Sequence, residues 1–143
     1  MNIKVQMVLL ISILLFLFSL FQECYTVNGG DSIGSFGIGA LLLGWMNVSE
    51  TWFCWLANIF YALSFIAIIT SKIKKVALTF SSIAFLLAIS FLFLDEVVIN
   101  EGGSLGQIDG DLLGYWVWIM AIFLIFITSL YEITENREGN TVH

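Results

Sequence analysis

Four long apolar runs, Val5 to Phe21, Trp52 to Thr70, Val76 to Leu94 and Leu112 to Tyr131, constrain this chain more than any motif in it. A helix crosses about 30 Å of hydrocarbon with roughly 20 residues, and each run is close to that length. A barrel strand crosses with about 10 residues and alternates polar with apolar, a pattern these runs lack. Soluble domains carry about 45–50% apolar and about 25% charged residues, whereas this 143-residue chain is 59% hydrophobic and 11% charged, with no proline. The excess apolar surface has to face lipid. The sequence therefore predicts an all-α integral membrane protein, a single membrane domain of four transmembrane helices over residues 1–143.

The first run differs from a cleaved leader. Lys4 is the one basic residue ahead of it, it exceeds the usual apolar core of about 7–15 residues, and Phe21-Gln22-Glu23 lacks a small-residue cleavage pattern. Gln22 and Glu23 also stand where a lipid-anchored Cys24 would want small neighbours. Retention as a span is expected.

Orientation follows from the linker between the second and third runs, Ser71-Lys72-Ile73-Lys74-Lys75, with three positive charges in five residues. Short basic loops stay on the cytoplasmic side, so both termini are expected inside, in accord with Lys4 and Arg137. Residues 132–143 then form a short, polar, frayed cytoplasmic tail containing Glu132, Glu135 and Glu138. Outside lie Glu23, Asp31, Glu50, Asp95, Glu96, Glu101, Asp109 and Asp111, with no lysine or arginine among them. The net charge of −6 divides into −8 outside and +2 inside. Trp45, Trp52, Trp55, Trp116 and Trp118 all fall at the outer boundary, where amphipathic rings anchor a span at headgroup level. A bacterial inner (plasma) membrane is the expected location.

The two halves resemble diverged copies. Glu23 precedes Gly29-Gly30 by the same six residues that separate Glu96 from Gly102-Gly103, and each copy returns through a glycine and tryptophan, Gly44-Trp45 and Gly114-Tyr115-Trp116. Such copies would be parallel repeats of a helical hairpin. Between them, Phe36 to Met46 is apolar but too short to cross, which predicts an interfacial helix before span two, or a re-entrant turn. Ser49 is the expected N-cap of span two, with Glu50 in its first turn.

Small and polar side chains mark helix contacts in lipid, where hydrophobicity does little to drive association. Ala77, Ser81, Ala84 and Ala88 form such a ridge on span three, while Asn58, Tyr61 and Ser64 lie along one side of span two. Asn58 is the most polar side chain well within a span and should find its partner inside the bundle.

Asp95, Glu96, Glu101, Asp109 and Asp111 form the one cluster with chemical potential. Oxygen-rich loops bind hard divalent cations, although Asp109-Gly110-Asp111 stops short of a calcium-loop register. A solvated acidic face is the simpler reading. With Glu23 and Asp31, the same carboxylates define a surface for a basic membrane or extracytoplasmic protein partner. Cys24 and Cys54 lie near the outer ends of neighbouring helices, within conceivable disulfide reach. The single histidine is His143, which excludes histidine-based catalysis. No phosphate loop, zinc-type cysteine pair or basic nucleic-acid patch is present. No cofactor beyond a divalent cation is suggested, and nucleic acid is not an expected partner. The function read from sequence is an interaction or accessory subunit. A cation-favouring channel or transporter component built by homo-oligomerisation and a metal-assisted membrane enzyme are the alternatives, and an enzyme is the weakest of the three.

Overall fold

The computed structural model describes residues 2–30, 35–46, 51–70, 74–100 and 102–140. The chain is 75% helical. In order it forms α1 (Ile3–Ser19), β1 (Tyr25–Val27), α2 (Gly37–Leu43) with a 3-10 turn Gly44–Met46, α3 (Thr51–Thr70), α4 (Lys74–Ser90) with a 3-10 turn Phe91–Phe93, β2 (Glu96–Val98), β3 (Leu105–Asp111) and α5 (Leu113–Asn140). Three helical stretches, Thr51–Thr70, Lys74–Phe93 and Leu113–Glu135, are long and apolar enough to cross a membrane; α1, at 17 residues, is apolar but shorter. These elements are compatible with residence in a membrane.

The helices are apolar around most of their circumference, as helices in lipid are. On α1 only Val5, Leu9, Ser12 and Ser19 are buried, while Met7, Leu10, Leu14 and Phe18 are exposed. Buried positions on α4 are Ala77, Ser81, Ala84 and Ala88, and on α3 they are Cys54, Ala57, Tyr61, Ser64 and Ile68. Helix α3 packs on α4, α4 on α5, and α5 on α1. The α1 and α3 backbones stay apart and meet through side chains. Ser12 Oγ donates to the Ala121 carbonyl at 2.7 Å and lies 2.9 Å from the Tyr61 hydroxyl, so Tyr61 is the donor of that pair. The Phe16 ring stacks on Tyr61 at 4.9 Å. On the lysine-rich side, Lys74 pairs with Glu132 at 2.9 Å.

The expectation of an all-α protein is corrected by a three-stranded antiparallel sheet of order β1-β3-β2. Two local signals produce it. Asn28-Gly29, the strongest short hairpin signal when flanked by strand-forming residues, follows Tyr25-Thr26-Val27 and turns with φ of 52° and 72°; Val27 and Gly30 exchange both backbone hydrogen bonds across it. The β-branched run Val97-Val98-Ile99 precedes a second turn, in which Asn100 accepts from Gly103 and Ser104. Strands β2 and β3 of this glycine-rich region thus pair as an antiparallel hairpin. Helix α5 runs without a break to Asn140, so the polar residues from Glu132 to Asn140 continue the last helix. Ser49, Glu50, Asp31, Glu101 and the linker lysine Lys72 lie outside the described residues.

One junction joins sheet and helices. After α1 the chain tightens through 3-10 bonds, and four of its carbonyls turn outward. Leu20 and Gln22 accept from Ile38 and Gly37 at the start of α2, and Glu23 and Cys24 accept from Gly114 and Leu112 at the start of α5. Helix N-termini leave donors that need such partners, and neither Gly37 nor Gly114 could carry a Cβ here. It would meet Ser19 O at 2.3 Å in the first case and Glu23 O at 2.6 Å in the second. Gly37→Ala and Gly114→Ala are therefore expected to destabilise the protein by about 1–3 kcal/mol each. Gly110→Ala, with nothing within 4 Å of its Cβ, should be close to neutral. Thermal unfolding in detergent followed by circular dichroism tests this, and equal midpoints for all three variants would refute it.

Candidate functional site

Beside this junction lies a half-open cavity of about 740 Å³. Its walls are the last turn of α1, strands β1 and β2, helix α2, the first two turns of α3 and the first two turns of α5. The lining is mostly apolar, with Leu20, Val27, Leu41, Met46, Phe91 and Val97 prominent.

The polar side chains in the wall are engaged by the protein. Trp55 Nε1 donates to the Leu41 carbonyl at 2.8 Å and so ties α2 to α3. Asn58 Nδ2 donates to Trp55 O at 3.0 Å, and its Oδ1 accepts from Trp118 Nε1 at 2.9 Å. The Tyr115 hydroxyl donates to Ala88 O at 2.9 Å. Ser90 gives its proton to Leu87 O, so at 3.4 Å the Cys54 thiol is the donor to Ser90 Oγ. Among the described residues no buried side-chain nitrogen or oxygen lacks a partner. Trp55 and Trp118 thus spend their N–H groups inside the protein, whereas Trp45 and Trp116 are about half exposed and Trp52 somewhat less.

Cys24 and Cys54 both line the cavity, and no disulfide joins them. Burial pushes the Cys24 thiol up to about 11 and the Tyr25 hydroxyl up to about 12, the latter helped by the neighbouring Cys24. Cys24 is therefore a protonated, poorly nucleophilic thiol at neutral pH.

The sheet distributes the carboxylates instead of converging them. Asp95 and Glu96 are exposed, and Glu96 stands across from Gln107. The Asp109 carboxylate accepts the Gly29 N–H and so fastens the first turn to β3. Asp111 pairs with Tyr25 and is half-buried. Glu23, also half-buried, precedes β1, and β3 lies between β1 and the strand that Glu96 opens. Among the described residues no group of three or more His, Cys, Asp or Glu side chains is placed to hold a metal ion.

The residue that sequence reasoning missed is Asn28. Its left-handed backbone and side-chain Oδ1 extend the β1–β3 ladder, accepting from Gln107 N while Asn28 N donates to Gln107 O, both at 3.0 Å. The Asn-Gly dipeptide was the signal for it. Leu41, whose carbonyl receives Trp55, carries no such signal, because any residue offers a carbonyl.

Compared with protein-family models, curated proteins and solved structures, the chain matches none. Its class rests on its own geometry, a mostly helical protein with three helices fit to span a membrane and a small sheet at one end of the bundle.

Loss of water raises the Asp111 carboxyl above its ordinary value of 3.8. A raised carboxyl favours folding only while protonated, so its contribution is complete below the unfolded value and is lost as pH rises through the folded one. At neutral pH the buried carboxylate is a cost. Asp111→Asn should therefore be more stable than the parent at pH 7, with the difference shrinking as pH falls towards about 4. Unfolding midpoints at the two pH values test this; an unchanged midpoint at pH 7 would contradict it.

Proposed function

We propose that this protein is a four-pass integral membrane protein with both termini in the cytoplasm, and that it serves as an interaction or accessory subunit in a bacterial inner membrane. Its acidic extracytoplasmic sheet is the surface that meets a basic partner. The observation that carries this reading is the joining of the two outer segments into one sheet, with Asp95 and Glu96 exposed on it. A hydrogen-bonded platform presents charge at lower ordering cost than two separate loops would.

The four-pass part is supported by α1. It runs antiparallel to α5, with buried positions from Val5 to Ser19 and Ser12 bonded to Ala121 midway. Its 17 residues span about 26 Å at 1.5 Å each. The duplicated-hairpin reading also finds support, because the α1–α5 and α3–α4 contacts are equivalent under exchange of the two halves. The contact between α4 and α5 then has its counterpart in α1 and α3, which are held apart where the cavity lies.

A solute path has less support. Intramembrane ionisable groups are its usual mark, and Asn58, on which a cation path would lean, has both ends of its amide engaged.

Single cysteines at Lys4, Ile73 and Ser104, in a background with Cys24 and Cys54 replaced, test the topology with a membrane-impermeant maleimide on intact cells. Position 104 should react, and positions 4 and 73 only after lysis. Reaction at position 4 would mean that α1 does not cross. For the partner, Asp95→Asn/Glu96→Gln should weaken retention of whatever protein co-purifies from native membranes, and raising salt should do the same to the parent, since exposed charges are screened within about 10 Å at 0.1 M. Retention indifferent to both changes would refute an acidic docking surface.

A further inference from the structure

We propose that the 740 Å³ cavity is a binding site for the hydrocarbon chain of a lipid. This site is distinct from the acidic platform, since among the described residues no carboxylate lines it.

Volume comes first. Small-molecule sites occupy about 300–1,000 Å³ and are mostly apolar with a few placed polar groups, which describes this cavity. Filled with water it would hold about 25 molecules at about 30 Å³ each. Ordered water needs two or more polar partners apiece, yet the Trp55, Asn58, Tyr115 and Trp118 polar atoms that bond are already bonded to protein. Water there would be poorly held and readily displaced by hydrocarbon.

Charge narrows the ligand further. Among the described residues no lysine, arginine, aspartate or glutamate is in the wall, and a charged headgroup among these apolar side chains would carry a heavy desolvation cost. The occupant is thus either the tail of a bilayer phospholipid, its headgroup left outside, or a neutral lipid taken up whole.

The wall also says where such a molecule comes from. Helix α2 turns Gly37 and Gly39 inward, while Ile38 and Leu42, absent from the lining, are 46% and 61% exposed. A short helix that is apolar outside as well as inside is matched to lipid. It is secured by its first two N–H groups on the Gln22 and Leu20 carbonyls just past α1 and by the Trp55 N–H on Leu41 O. This lipid-matched helix, held by three such hydrogen bonds among the described residues, is the wall through which hydrocarbon would enter.

The test uses full-length protein carrying Trp45→Phe, Trp52→Phe and Trp116→Phe. This leaves Trp55 and Trp118, both in the cavity wall, as the emitters. It is reconstituted in phosphatidylcholine nanodiscs containing a minor fraction of either phosphatidylcholine or diacylglycerol brominated along the chain. Ala40→Phe and Val98→Phe fill the cavity from opposite walls. The expected result is loss of tryptophan emission in the parent and its recovery in the filled variants. Loss with brominated phosphatidylcholine identifies a bilayer lipid tail as occupant, and loss with diacylglycerol alone identifies a free neutral lipid. No loss with either probe, or the same loss in the filled variants, overturns the proposal. Circular dichroism checks each variant, and if one fails to fold the other decides.

Discussion

Four backbone carbonyls just past α1, those of Leu20, Gln22, Glu23 and Cys24, hold the rest of the molecule in place. They accept the N–H groups that open α2 and α5. Both helices begin among apolar residues with few side chains able to cap them, and an unpaired amide in such surroundings costs far more than one in water. The interaction is electrostatically favourable as well, since carbonyl oxygens sit against the positive ends of two helix dipoles. It demands backbone contact, hence glycine at positions 37 and 114.

The sheet and the cavity both follow from that junction. Anchoring α5 beside the end of α1 brings residues 105–111 alongside 25–27, so β3 can pair with β1 on one edge and with its own hairpin partner β2 on the other. Anchoring α2 against the end of α1 wedges a short helix beside α3, with Trp55 as the tie. The α1 and α3 backbones then cannot close as α4 and α5 do, and the space left between them is apolar because helices and strands alike turn hydrocarbon toward it.

Much of this was legible in the residues. The helices coincide with the apolar runs because a helix satisfies its own backbone wherever its side chains are apolar, and their ends shift by a few residues because hydropathy does not see caps. The sheet was legible in part, through Asn28-Gly29 and Val97-Val98-Ile99, but glycines at 102, 103, 106 and 110 read equally well as a mobile loop. What separates the two readings is a partner strand from the other half of the chain, about 80 residues away. The roles of Trp55 and Trp118 were hidden for a related reason. Tryptophan near a span end suits the headgroup level, and only the neighbouring helix reveals a carbonyl or an amide for its N–H.

By itself, then, the sequence determined which segments are apolar helices, since these depend on local composition. Tertiary structure alone decided that two outer segments share one sheet, that the carboxylates spread out along it, and that a cavity opens where α1 and α3 fail to close. Those outcomes depend on contacts between residues far apart in the chain, formed only where a glycine lets two backbones touch.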